Sequence, residues 1–386
     1  MPARSSAPRI PELDGIRGLA ILLVLYWHYL ACPAALAERG TLGWFLHRVG
    51  LFTWSGVDLF FVLSGFLIGG ILFDTRDERL YFQNFYLRRI FRILPLYALL
   101  TGAGILLLLL RPSWTAIVGE LMPLPVYAVF LQNFWLAHHS WEVYLGVTWS
   151  LAVEEQFYFF FPFVVRVARK SRLPILLGGL ALASAGIRTV LYLHFGRVWG
   201  TSAYTLAFCR ADALMLGALG AWALKEPRVR AWLEGRSSVL RGAALVFGAA
   251  MAAMLFEGWT ISTLPMSTVG YTYLALFYLS LILLAVVSPS GRWASIMRLA
   301  PLRSLGRIAY GVYLLHEMVF DVCGYWLTGR TEQKQLSWST AAAGLLVTLG
   351  LAQLSWRYFE SKMIRIGHRL SAGALAAARP GPVEIA

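Results

Sequence analysis

With 386 residues, of which 58% are hydrophobic and only 14% charged, the chain is too apolar for a soluble domain of its size. Several runs reach the roughly 20 residues that cross a bilayer as a helix, and their continuity argues against a β-barrel. A formal net charge of +14 would suit nucleic acid, but the basic residues fall in short loops between apolar runs. Membrane topology and anionic headgroups account for them, so the lipid bilayer is the expected partner and nucleic acid is not.

The predicted fold is all-α: a polytopic membrane protein with ten transmembrane helices, one re-entrant or interfacial helix and both termini cytoplasmic. A tail at 1–13 carries Arg4 and Arg9 and precedes a first span at 14–36. That run lacks a small-residue cleavage pattern and reads as a retained span, not a removed signal. Spans at 53–74 and 91–110 flank a basic inner loop that contains Arg76, Arg79, Arg88, Arg89 and Arg92. Residues 117–136 are apolar but interrupted by Pro123 and Pro125. The span at 147–165 ends in Arg166, Arg169, Lys170 and Arg172 and so must begin outside; 117–136 is therefore a re-entrant or surface-lying helix, not a full crossing. Further spans follow at 173–195, 203–224, 238–256, 264–287, 305–328 and 337–359. Only Arg39, Arg48, Arg111, Arg188, Arg197, Arg330 and Lys334, seven of 34 basic residues, fall on the outer side. The Ala-, Gly- and Pro-rich segment 370–386 is expected to be a disordered cytoplasmic tail, and no second soluble domain or internal repeat is expected.

In so apolar a chain the polar residues inside spans are informative. Arg17 opens the first span and His28 follows eleven residues later, about 16 Å further along a helix axis. A structural histidine bonded to a neighbouring helix is the plain reading of His28; a working imidazole is the other. Glu154 and Glu155 stand side by side in the span at 147–165, and Glu154 lies about 18 Å from its basic inner end. His28 and Glu154 thus share a depth, which allows a His–carboxylate pair if their helices are neighbours. Asp58 and Ser64 sit on the second span with Gly56 and Gly65, which could simply permit close packing. Arg210 and Asp212 read as a structural pair bonded to other helices. His316-Glu317 opens like a zinc-protease helix, but Phe320 stands where the second histidine belongs, and Cys32, Cys209 and Cys323 have no motif spacing. No metal and no disulfide framework are expected.

Arg89 and Arg92 are three apart, on one helical face, and a guanidinium cluster at a membrane mouth suits the phosphates of a cytoplasmic nucleotide cofactor. No GxGxxG or Walker A sequence is present, so neither a Rossmann site nor an ATPase is supported. Trp141, Tyr144, Trp149 and Trp199 near the outer face could stack on sugar rings, though an interfacial belt is the more ordinary role.

Six stretches then resemble the membrane acyltransferase-3 family. They are Leu13-Asp14-Gly15-Ile16-Arg17-Gly18 with the spacing to His28; the run from Gly56 to Phe66; Arg88-Arg89-Ile90-Phe91-Arg92 with Pro95; Trp149 to Tyr158; Arg210 to Leu214; and Tyr310 to His316. They run in order through nearly the whole chain, with 14–369 as the family domain. The resemblance implies a ten-span bacterial inner-membrane enzyme that moves acetyl or another short acyl group from acyl-coenzyme A to a hydroxyl of a sugar, glycan or glycolipid. It makes His28 the general base, with Glu154 or Glu155 orienting the imidazole. Arg17, Arg88, Arg89 and Arg92 would hold acyl-CoA, and Asp58, Ser64, Trp149, Tyr310 and His316 would support the site. Direct transfer and an acyl-enzyme both remain open. The rival reading is a transporter or flippase using the buried charges as a proton relay; it predicts matched broken helices in two halves, and the sequence has one interrupted segment.

Overall fold

A computed structural model describes residues 10–139, 141, 143–196, 198–329 and 337–377, with backbone alone at 198–201 and 373–377. Residues 1–9, Arg197, Arg330, Lys334, the Trp199 side chain and 378–386 lie outside the described residues. Regular structure among those described is helical, apart from an isolated β-bridge between Glu120 and Val143.

Helix α1 (Pro11–Tyr26) continues into a π-helical turn at Trp27–Ala31. Pro11 suits the first turn, where its missing N–H costs nothing. The short α2 (Leu42–Gly50) leads to α3 (Gly56–Thr75) and then to α4 (Tyr81–Leu110), which retains Pro95 in its interior. Because α4 begins at Tyr81, Arg88, Arg89 and Arg92 ride on a helix, not in the loop expected for them.

The single re-entrant or surface helix predicted over 117–136 is not formed. Three pieces replace it: α5 (Thr115–Val118), α6 (Leu124–Ala128) and α7 (Gln132–Leu136). Gly119 and Phe130 adopt φ of 85° and 55°, and Pro123 and Pro125 block continuation. Side chains satisfy the broken backbone. Tyr97 donates to the Tyr127 carbonyl at 2.8 Å, Tyr127 to that of Tyr144 at 2.7 Å, and Gln156 to that of Phe130 at 2.8 Å. Irregular chain inside a bilayer persists only when protein buries it in this way.

Beyond lie α8 (Trp149–Val167), α9 (Leu173–Phe195), α10 (Val198–Thr205), α11 (Ala207–Lys225), α12 (Pro227–Gly235) and α13 (Ser237–Phe256). A π-helical turn at Met266–Gly270 opens α14 (Tyr271–Val287), followed by α15 (Arg292–Met297), α16 (Ala300–Thr328) and α17 (Trp338–Ser355). A last π-helical turn, Trp356–Glu360, joins α17 to α18 (Ser361–Ala377). Helix α18 overturns the expected tail at its start: residues 370–377 are helical and 371 is docked, since the Ser371 hydroxyl donates to Asn84 Oδ1 at 3.1 Å and Gly367 lets α18 close on Phe91 of α4.

Eight helical stretches among the described residues are long and apolar enough to cross a membrane. The two remaining predicted spans correspond to α8 and α16, which carry Glu154 and Glu155, and His316, Glu317 and Asp321. Two close helix pairs frame these polar helices. A side-chain carbon on Gly65 of α3 would strike the Leu214 carbonyl of α11, and one on Gly217 the Val62 carbonyl. Likewise Gly18 of α1 lies against the Leu302 carbonyl of α16, and Gly306 against that of Asp14. Small residues let backbones approach where lipid offers no hydrophobic drive for association. Gly18, next to Arg17, and Gly306 therefore set α1 directly on α16.

Candidate active site

Five helices enclose a cavity of ≈ 250 Å³ lined by Arg17 of α1, Ser64 of α3, Arg89 and Arg92 of α4, Glu154 of α8 and Tyr310 of α16, among others. Arg17 Nη1 donates to Asp14 Oδ1 at 3.1 Å one turn back. The Arg89 guanidinium lies 5.1 Å over the Tyr158 ring and 5.9 Å over that of Phe85. Among the described residues neither Arg89 nor Arg92 has a hydrogen bond or a carboxylate partner in ion-pair range. Glu154 is not the partner of either: it accepts from the Tyr158 hydroxyl at 3.1 Å, which in turn bonds Ser64. Tyr310 donates to the Ile93 carbonyl at 2.7 Å and ties α16 to α4. An adjoining hollow of ≈ 70 Å³ shares Arg17, Arg92 and Tyr310 and adds Arg307 and Glu360.

His28 stands one layer further along α1, in the π-helical turn, a distortion often found at functional sites. Its Nδ1 lies 2.9 Å from the Val24 carbonyl, so that nitrogen carries the proton and Nε2 keeps its lone pair. The ring meets His316 edge-on, centroids 4.7 Å apart at 72°. His316 repeats the arrangement, with Nδ1 2.7 Å from the Tyr313 carbonyl. Its Nε2 is buried and has no partner among the described residues. Tyr29, next to His28, donates to the His316 carbonyl at 2.8 Å and meets Thr348 Oγ1 at 2.8 Å, which clamps α1 to α16 and α17. Tyr313, held by Ser150 at 2.6 Å and the Val147 carbonyl at 2.9 Å, lines the cavity and also faces the His316 ring at 5.6 Å. Cavity, Tyr313, His316 and His28 thus form an unbroken run of contacts.

Several sequence-based expectations meet a different arrangement. His28 and Glu154 do not pair: α1 packs on α16 and α3, so His28 faces His316 while Glu154 faces the cavity. Arg88 turns away, its Nε donating to Ser371 at 3.1 Å. Glu155 does not line the cavity, and its buried Oε1 has no partner among the described residues. Asp58, fully buried, is bonded to Arg210, while Asp212 takes Arg188 at 3.1 Å and the Thr272 hydroxyl at 2.7 Å. Trp149 and Tyr144 are buried, not spread in a belt; Trp149 packs on Tyr204 with centroids 4.7 Å apart. The Tyr158 bond to Glu154 and the two carbonyls that set the histidine tautomers come from residues three or four positions away on the same helix, a spacing the sequence does carry. Tyr29 and Tyr313 had only their position beside the histidines. Among the described residues no group of three His, Cys, Asp or Glu is arranged to hold a metal ion.

The family model described as an acyltransferase domain matches residues 10–357. The chain belongs to that family. Its relatives include YrhL of Bacillus subtilis, 29% identical over 379 residues, which covers 93% of this chain and 56% of the relative. The peptidoglycan O-acetyltransferase OatA of Listeria monocytogenes is 27% identical over 386 residues, 94% of this chain and 57% of the relative. The O-acetyltransferase OatA of Staphylococcus aureus is 25% identical over 386 residues, 94% and 58% respectively. The chain therefore spans little more than half the length of these relatives. No solved structure matches it.

Proposed function

We propose that the chain is a multi-pass enzyme of the bacterial inner membrane that moves an acetyl or other short acyl group from acyl-coenzyme A to a hydroxyl of a glycan or glycolipid. Ten spans, with α8 and α16 as the two polar ones, and both termini in the cytoplasm complete this reading. One observation carries it: Arg89 and Arg92 meet Arg17 in a cavity, and among the described residues they have no carboxylate partners of their own. Unpaired guanidiniums at that depth are costly unless an anion joins them, and the planar fork suits phosphate. The phosphates of coenzyme A would lie at these arginines, with the acyl end directed past Tyr310 and Tyr313 toward His28.

In the transfer step His28 Nε2 takes the acceptor hydroxyl proton as the oxygen attacks the thioester carbonyl. The C–S bond breaks, and the imidazolium returns the proton to the departing thiolate, so coenzyme A leaves as the free thiol. The Val24 carbonyl, not a carboxylate, holds the productive tautomer. Glu154 keeps the Tyr158 and Ser64 hydroxyls in place along the cavity wall. The glycan acceptor follows the names of two relatives, one a peptidoglycan O-acetyltransferase and one named as a putative one.

The test is thiol release from acetyl-CoA by the purified protein in the presence of a glycan acceptor. His28→Ala is expected to lose about 10²–10⁴ of the rate. Normal transfer by that variant would sink the base assignment. Labelled acetyl trapped on the protein in the absence of acceptor would replace direct transfer by an acyl-enzyme.

A further inference from the structure

The lining of the cavity is rich in hydrogen-bond donors, whereas the seam between α1 and α16 beyond His28 offers acceptors. Tyr310, Tyr313, Glu317 and Asp321 follow one another on α16 at intervals of three, four and four residues, so they share a face. The first two line the cavity. The other two continue the stripe away from it: Glu317 lies within electrostatic range of His28 and of Cys32, which follows the π-helical turn, and Asp321 within range of Glu317 and Tyr29. His28, Glu317 and Asp321 are all half-buried. Neither carboxylate pairs with Lys or Arg among the described residues.

An independent feature points to a ligand in the same seam. His316 is fully buried, its Nδ1 is committed to its own helix, and its opposite nitrogen, Nε2, has no partner among the described residues. The His28 ring is the neighbour of the His316 ring, with centroids 4.7 Å apart. A buried polar atom left unpaired is costly, so a donor from outside the chain is the natural complement. Imidazole lone pairs and carboxylate oxygens accept hydrogen bonds, and an adjacent set of them calls for a ligand with several donors at once. A polyhydroxyl sugar has that character.

Building on the acyl-transfer reading, we infer that the α1–α16 seam is the acceptor subsite, in which Glu317 and Asp321 bind neighbouring hydroxyls of a sugar while His28 takes the reacting one and His316 Nε2 accepts from another. The two carboxylates are thereby specificity-determining residues and Arg89 and Arg92 serve the donor alone. The full chain in nanodiscs, supplied with acetyl-CoA and chitotetraose, tests this by steady-state transfer and by thiol release. Glu317→Gln and, separately, Asp321→Asn are each expected to raise the acceptor KM about tenfold, the loss of one charge-assisted hydrogen bond, with the KM for acetyl-CoA and the melting temperature unchanged. An unchanged acceptor KM in both variants, or an equal rise in the KM for acetyl-CoA, overturns the subsite. So does a wild-type protein that binds acetyl-CoA and releases thiol but transfers nothing to the sugar. Failure of acetyl-CoA to bind at all would instead remove the acyl-transfer reading beneath it.

Discussion

Two sets of buried arginines lie in this molecule, and their difference separates architecture from chemistry. Arg188 and Arg210 are fully buried between α3, α9, α11 and α14. Each has a carboxylate, Arg210 with Asp58 and Arg188 with Asp212, and Arg210 also lies 4.1 Å over the Tyr271 ring. The four charges sum to zero. Arg17, Arg89 and Arg92 surround a cavity instead; Arg17 has Asp14, and the other two are unpaired among the described residues. A neutralised set needs nothing further and locks helices together, whereas a cationic excess inside a membrane protein calls for an anion.

Breaking the neutral set is expected to have the largest effect. Arg210→Met strands Asp58 as an uncompensated buried charge and should cost about 3–5 kcal/mol. It would be read as a collapse of the melting temperature in detergent, and an unchanged melt would dissolve the distinction between the sets. On the other side, Arg89→Gln and Arg92→Gln should leave the melt in place and raise the KM for acetyl-CoA about 10- to 100-fold each, since a hydrogen bond to a charged group contributes about 1.5–3 kcal/mol. Lysine at Arg89 should rescue only part of that loss, because a point charge lacks the planar fork.

Gly18→Ala probes the helix pair that connects the cavity with the histidines. The added carbon meets the Leu302 carbonyl, so α1 must withdraw from α16, at a cost of about 1–3 kcal/mol for overpacking. Transfer activity should fall further than stability alone explains, because His28 and His316 separate; full activity in a stable Gly18→Ala protein would show that their contact is dispensable. The smallest effect belongs to the exposed pair of Asp77 and Lys170, 2.7 Å apart beyond the ends of α3 and α8. The hydrogen bond from Lys170, aided by its charge, holds the Asp77 carboxyl below the usual carboxylate range. With the folded value the lower one, this contribution is present above the ordinary value of about 3.9 and fades as pH falls through the folded value. Lys170→Gln should slightly lower the melting temperature at neutral pH and converge with wild type in acid; divergence in acid would reverse the sign.

Much of this was legible in the residues themselves. Apolar run length marked nearly every long helix, and the spacing of Arg89 and Arg92 put them on one face, where both line the cavity. The interruption at Pro123 and Pro125 was read correctly as an obstacle to crossing, but three short helices tied by tyrosine hydroxyls could not be read from it. The same limit governed the candidate site. Rise per residue gave His28 and Glu154 a common depth, but depth along an axis says nothing about direction around it. Direction came from Gly18 and Gly306, which set α1 against α16, and from the π-helical turn, which presents His28 to His316. Local spacing thus indicated which residues share a helix and how far apart along it they stand. Which of them touch was decided only by helix packing, because contacts between distant segments depend on backbone approach and rotation that no single stretch encodes.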